Sequence, residues 1–218
     1  MSSPRITVLI SGRGSNLAAL LDAQQHGRLG GGAVTAVIAN NPGAPGLAPA
    51  RARGVATTVV DHRGFADRAG FDAALAAAVA ASRPDLVVLA GFMRILDAGL
   101  VRRYEGRMLN VHPSLLPLYP GLHTHRRALA DGVRLHGCTV HFVTAELDHG
   151  PIVVQGAVAV HDDDDEATLA ARVLAVEHRL LPLAVRLHCE GRLVIAAGRV
   201  RVRGGIPPVG AFESLRAD

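Results

Sequence analysis

Asn110 and His112 stand two residues apart at the end of an apolar run, within the stretch NVHPSLLPLYPGLHTHRR over 110–127. On a strand, residues i and i+2 share a face, so the amide and the imidazole would point to the same side. An Asn amide donates hydrogen bonds without titrating, while an imidazole can donate as a cation or carry a proton. Together they suit a carbonyl oxygen that turns negative in a tetrahedral intermediate. A His used this way needs a carboxylate to orient and charge it, and Asp148 in ELDHGP is the most plausible one. Pro113 pins the backbone just after the His, and Pro117 and Pro120 stiffen the loop beyond it. Two other readings compete. A metal could take His112, His123, His125 and Asp148, although His123-x-His125 is not helical i, i+4 spacing and no HExxH occurs. His112 could also be an ordinary loop histidine.

No Ser or Cys is placed as a nucleophile. There is no GxSxG, and Cys138 lies inside an apolar, strand-like run, so an acyl-enzyme is disfavoured and direct transfer between two bound substrates is expected. A second feature, SGRGSN at 11–16, follows one strand-like run and precedes a helical one, where backbone N–H groups can meet a phosphate. It is no dinucleotide fingerprint, because Leu17 holds the third glycine position and the next strand ends in Asn40-Asn41 rather than an acid. It is no P-loop either, since the chain has no Lys. What remains is an anion-binding turn for a monophosphate, or a plain strand-to-helix turn capped by Ser15 or Asn16.

Length and composition bound the partners. At 218 residues, 49% of them apolar, the chain can form one full-sized domain with a substantial core. All 23 basic residues are Arg, and they are dispersed, with a formal net charge of only +4. Such a surface suits a phosphorylated small molecule, and the scarcity of aromatics (3%) weakens any base-stacking platform, so no nucleic-acid partner is expected. Cys138 and Cys189 lack CxxC spacing and read as buried thiols in a reducing cytoplasm. No apolar run reaches the roughly 20 residues of a membrane span, and none resembles a signal peptide.

The elements that must position these residues alternate. Strand-like runs at 5–10, 33–39, 55–60, 85–92 and 108–111 are separated by helical stretches, including one that ends before Arg83-Pro84. That order predicts an α/β, Rossmann-like open, mostly parallel sheet with helices on both faces. Ligands of such sheets sit outside the carboxyl ends of the strands, where both SGRGSN and Asn110–His112 fall. The runs 138–143 and 151–158 should pair antiparallel at one edge. A long helix comes next, traced by Leu169, Val173, Val176, Leu180, Leu183 and Leu187, with Pro182 as an expected kink. The acidic run Asp162–Glu166 reads as a solvated loop and the acidic first turn of that helix. The tail from Val194, with Gly204-Gly205-Ile206-Pro207-Pro208, reads as a surface strand or loop.

The segments ISGRGSNL, DLVVLAGFMRIL, LNVHPSLLPLYPGLHTHRRAL, HGCTVHFVTAELDHGPIV and RVLAVEHRLLP, in order from about Ile6 to Leu193, resemble the formyltransferase family that uses 10-formyltetrahydrofolate. SGRGSN, YPGLHTHRRAL and EHRLLP resemble more specifically its phosphoribosylglycinamide formyltransferase branch, which acts in purine biosynthesis. The resemblance implies transfer of the formyl group of 10-formyltetrahydrofolate, as co-substrate and without a metal, to the amine of glycinamide ribonucleotide. It implies Asn110, His112 and Asp148 as the catalytic trio. Gly14, Ser15 and Asn16 match the substrate-phosphate contact, Glu177 the ribose contact, and Arg68 an Arg near the substrate. Met93, Arg94, Ile95, Leu96 and the 142–148 loop, Val143 and Leu147 included, match the pterin pocket. Some members carry a Lys where this chain has Leu174, so the phosphate would rest on backbone amides, the helix dipole and Arg172 or Arg68. One domain over 1–218 is expected: a phosphate-binding parallel half (1–111), a catalytic and folate-binding half (112–193) and a surface tail (194–218). Two small-molecule substrates, no membrane, a cytoplasmic location and the option of a homodimer complete the expectation.

Overall fold

The computed structural model describes residues 3–205. Seven strands build the main sheet: β1 (Arg5–Ile10), β2 (Ala33–Ala39), β3 (Ala56–Val59), β4 (Leu86–Leu89), β5 (Met108–His112), β6 (Leu135–Phe142) and β7 (Ile152–Ala159). Their order is β3-β2-β1-β4-β5-β6-β7, with β1 to β5 parallel and β6 and β7 antiparallel. The chain winds outward from β1 in one direction, then returns to β4 on its other side. That reversal makes the carboxyl ends of β1 and β4 a topological switch point, where sheets of this kind build their sites.

Strand alternation distributes the core to both faces. Ile6, Val8 and Ile10 of β1 pack with α1 (Ser15–Gln25), α2 (Leu47–Ala52) and α6 (Glu166–Cys189). Leu9 of β1, with Ile38, Val87, Leu89 and Met108, packs with α3 (Arg68–Ser82) and α4 (Ala98–Arg103). A short α5 (Thr124–Ala130) lies on the α6 side through Leu129. Helices therefore cover both faces, as the continuous apolar runs require.

Several boundaries differ from the pattern. The run 85–92 forms a ladder only over Leu86–Leu89; Gly91 then takes φ +73 and the chain leaves the sheet to become a wall of the site. β6 begins at Leu135, before the expected 138, because exposed Leu135, buried His136 and Gly137 pair with β7 although their side chains break the apolar signal. Pro182 lies inside α6, which runs on through it to Cys189, as a helix with an internal proline was expected to. Asp165 caps α6 in a capping box with Thr168, and Asp164 takes both guanidinium nitrogens of Arg172 at 2.7 and 2.8 Å. The start of the tail is a separate antiparallel hairpin, β8 (Leu193–Ala196) with β9 (Arg199–Val202). Ile206, Pro207 and Pro208 lie outside the described residues.

Candidate active site

Asn110 and His112 occupy the carboxyl end of β5, facing His141 and Thr139 across the β5–β6 ladder. The loop after them is tied to the hairpin. The Thr139 hydroxyl donates to the Ser114 carbonyl at 2.7 Å and accepts from the Leu116 N–H at 3.0 Å. The Gln155 amide donates to the Leu116 carbonyl at 2.8 Å. Held this way, the loop brings the Tyr119 carbonyl to 2.9 Å from His112 Nε2, which must donate because a carbonyl only accepts.

The other ring nitrogen of His112, Nδ1, lies 3.4 Å from Asp148 Oδ2, with both side chains 7% exposed. That is within ion-pair range and long for a hydrogen bond. Both nitrogens of His112 thus face oxygens that can only accept. Asp148 is itself positioned by the Gly121 N–H, which donates to Oδ2 at 2.9 Å. The carboxylate reaches this place because Asp148 adopts φ +55, and Tyr119 (φ +54) and His123 (φ +58) share that left-handed region. Three non-glycine residues in this region around one imidazole mark a site where surrounding contacts hold a strained backbone.

The same carboxylate has a second imidazole beside it. His141 Nε2 is 3.8 Å from Asp148 Oδ1 and 3.2 Å from Asn110 Nδ2, while His141 Nδ1 is 2.9 Å from the Phe142 carbonyl. Sequence reasoning missed His141, Gly121 and the Tyr119 carbonyl. The available signal for His141 was a lone His in an apolar strand, two residues beyond Thr139 and so on its face. The backbone groups of Tyr119 and Gly121 leave no mark in a sequence.

A cavity of about 500 Å³ opens over this cluster. Asn110, His112, His141 and Asp148 line its polar end; Met93, Arg94, Ile95, Leu96, Val143 and Leu147, expected as the folate pocket, line it too. Met93, Ile95 and Leu147 are exposed apolar side chains, as a binding wall for a flat ring would be. His123 and His125 line the cavity as well, but His125 packs edge-on to His136 at 5.2 Å between ring centroids. Burial holds both of those imidazoles below the usual range, His136 down to about 4. Among the described residues no three His, Cys, Asp or Glu side chains gather around one ion site. Burial also pushes the Cys138 thiol up to about 12, leaving no thiolate nucleophile there.

Gly14, Ser15, Asn16 and Glu177 form a neighbouring group. Gly14 precedes α1 with φ +72 and provides no side-chain cap, so the first N–H groups of the helix have no side-chain partner. Asn16 Nδ2 donates to Glu177 at 2.6 Å, and Asn16 Oδ1 is buried without a protein partner. Burial raises Glu177 to about 6, with the Asn16 hydrogen bond opposing the rise. The Ser11 hydroxyl accepts the Met93 N–H at 2.7 Å, joining the loop after β1 to the cavity wall after β4.

The two guanidinium groups expected beside the phosphate are engaged elsewhere. Arg172 is held by Asp164 and the Ala159 carbonyl. Arg68 donates to Asp72 at 3.3 Å and to the Ile95 carbonyl at 2.9 Å, lining a smaller hollow with Met93, Arg94 and Ile95.

Comparison with known proteins matches residues 4–185 to the formyl transferase family model. The chain is 47% identical over 206 residues to phosphoribosylglycinamide formyltransferase of Escherichia coli, covering 94% of this chain and 97% of that one. It is 43% identical over 187 residues to the human trifunctional purine biosynthetic protein adenosine-3, covering 86% of this chain and 18% of that longer protein. Among solved structures, glycinamide ribonucleotide transformylase 1 from Symbiobacterium toebii superposes with a TM-score of 0.89 at 49% identity, over 92% of this chain and 94% of that one. A formyltetrahydrofolate deformylase from Pseudomonas syringae superposes with a TM-score of 0.85 at 29% identity, over 92% of this chain and 66% of that one.

Proposed function

The chain belongs to the formyl transferase family, and on that premise we propose that it transfers the formyl group of 10-formyltetrahydrofolate to the amine of 5′-phosphoribosylglycinamide. The products are formylglycinamide ribonucleotide and tetrahydrofolate, a step of purine biosynthesis. The observation that carries the reading is one polar cluster, Asn110, His112 and Asp148, in the lining of an apolar cavity whose wall is tied through Ser11 to the loop before an uncapped helix N-terminus. The cavity suits a pterin, and the free N–H groups of the Gly14–Asn16 turn suit a phosphate. No metal enters the chemistry.

In this reading the amine attacks the formyl carbon, its carbonyl oxygen becomes negative, and the carbon–N10 bond then breaks as N10 takes up a proton. Asn110 Nδ2 donates to the developing oxyanion, and His112, whose two nitrogens face Tyr119 and Asp148, stabilises it through its positive charge. Asp148 keeps His112 charged and relays the amine proton towards N10 through water. Because no acyl-enzyme intervenes, the site must hold both substrates at once.

On the acceptor side, the phosphate rests on the amides of Gly14, Ser15 and Asn16 and on the α1 dipole, and Glu177 takes the ribose hydroxyls. On the donor side, Met93, Arg94, Ile95, Leu96, Val143 and Leu147 hold the folate. Arg68, which resemblance put near the substrate, lies against the Ile95 carbonyl and so at the donor end, where the carboxylates of a folate's glutamate would meet a guanidinium. Among the described residues no helix is long and apolar enough to cross a membrane. Both cysteines are free thiols, which suits the reducing cytoplasm; a homodimer remains part of the proposal, read directly by sedimentation.

The test is an assay with glycinamide ribonucleotide and the formyl-folate, following deformylated folate by absorbance. Turnover that requires the ribonucleotide supports the reading. Equal turnover without it would make the chain a hydrolase, and no turnover with tight, salt-sensitive RNA binding would make it a binding protein.

A further inference from the structure

We propose that His141 is the positioning residue for Asn110, held in its Nδ1–H tautomer so that Nε2 accepts a hydrogen bond from the Asn110 amide. The inference deepens the formyl-transfer reading and rests on it for its kinetic part. Its structural part stands on hydrogen-bond logic alone.

The Phe142 carbonyl, 2.9 Å from Nδ1, can only accept, so Nδ1 carries a proton. A neutral ring then has a bare lone pair at Nε2. The group 3.2 Å from that lone pair is the Asn110 amide nitrogen, the only end of the amide able to donate. If the amide turned over, its carbonyl oxygen would face the lone pair and a buried acceptor would be lost. One N–H of Asn110 is therefore spent on His141, and the second stays available as a donor in the cavity that Asn110 lines.

The assignment requires His141 to stay neutral. The ring is 2% exposed, and burial is the largest influence on it, holding it below the usual imidazole range; the Phe142 carbonyl and Asp148 pull upward, and His112 pushes down. Those two side chains, Asp148 from the loop after β6 and His112 from β5, are the charged groups that face it. Asp148 serves the other imidazole first. Its Oδ2 accepts from Gly121 and lies 3.4 Å from His112, whereas its Oδ1 is 3.8 Å from His141, beyond hydrogen-bond reach. The partners of the two rings differ: His112 faces two acceptors, and His141 faces one acceptor and one donor.

Long-range proton–nitrogen NMR on the histidine rings of the labelled protein at neutral pH tests the tautomer without any assay. Nδ1 of His141 should carry the proton and Nε2 should show the shift of a bare nitrogen; a protonated Nε2 overturns the proposal even if the enzyme transfers formyl. Kinetics test the role. His141→Leu should lower kcat by about tenfold with both KM values within about threefold. His141→Gln, whose Oε1 falls where Nε2 was, should recover to within about threefold of the parent. On an Asn110→Ala background, His141→Leu should cause no further loss, because the residue acts through the amide. A Gln variant as damaged as the Leu variant, or a full additional loss on the Asn110→Ala background, would remove the positioning role. Absence of ribonucleotide-dependent turnover in the parent would sink the formyl-transfer reading and leave the NMR result standing.

Discussion

At the scale of single residues, the site is organised by which groups can only accept. The Tyr119 carbonyl makes His112 a donor at Nε2, and Asp148 lies 3.4 Å from its Nδ1. Removing the charge of Asp148 while keeping its shape should therefore strike the chemical step. Asp148→Asn is expected to lower kcat by at least about 10²-fold and to leave ribonucleotide binding within a few-fold, as steady-state kinetics and calorimetric titration would read. Lost binding with intact turnover at saturation would move Asp148 into the substrate pocket instead. Glu177 presents the opposite balance. Its folded-state value, raised from an ordinary 4.5 to about 6 by burial, favours the protonated form. That preference contributes stability fully below pH 4.5 and loses it as pH rises through about 6. At about 1.4 kcal/mol per pH unit, the buried carboxylate costs on the order of 2 kcal/mol at pH 8. Glu177→Gln should thus gain stability in urea unfolding at pH 8 but not at pH 4, while the KM for ribonucleotide rises. Equal gains at both pH values would contradict the cause assigned to the shift.

At the scale of elements, the turn proposed to hold the phosphate depends on a close approach that no side chain permits. Gly14 holds φ +72, and a Cβ built there would lie 2.7 Å from the Gly46 Cα. Gly14→Ala must therefore displace backbone, with a stability loss of about 1–3 kcal/mol and an increase in the ribonucleotide KM larger than that in the folate KM. A variant that unfolds at the parental temperature and keeps its ribonucleotide KM would show that the turn tolerates the shift and that the phosphate sits elsewhere. This turn was readable in advance, because glycine spacing between a strand and a helix announces the backbone directly. The β6–β7 hairpin was readable only in its apolar middle. Leu135–Gly137 pair with β7 through backbone groups that a hydrophobic pattern does not report. Position in the chain likewise hid the fact that Thr139 and Gln155 brace a loop more than 20 residues away in sequence for one of them and nearly 40 for the other.

At the scale of the whole molecule, the reversal of strand order between β1 and β4 explains how the two proposed substrate sites would meet at one cluster. The loop after β1 carries the proposed phosphate turn, the chain after β4 becomes the proposed donor wall, and β5 ends beside β4 with Asn110 and His112. Alternating strand and helix signals made this sheet legible from the sequence, and with it the end of the molecule where ligands bind. The partition of distant side chains between the two sites stayed hidden, because a surface arginine's partners depend on tertiary placement. Arg68 is the clearest case: it donates to the carbonyl of Ile95, a residue of the proposed donor wall. Arg68→Ala should then raise the KM for the formyl-folate by about three- to tenfold, as loss of one charge-assisted hydrogen bond would, with kcat and the ribonucleotide KM nearly unchanged. Glu177→Gln should show the converse, so the two variants measured against both substrates map the division. A ribonucleotide KM that rises in Arg68→Ala while the folate KM holds would place the guanidinium on the acceptor side, and the boundary between the two sites would have to be redrawn through the chain after β4.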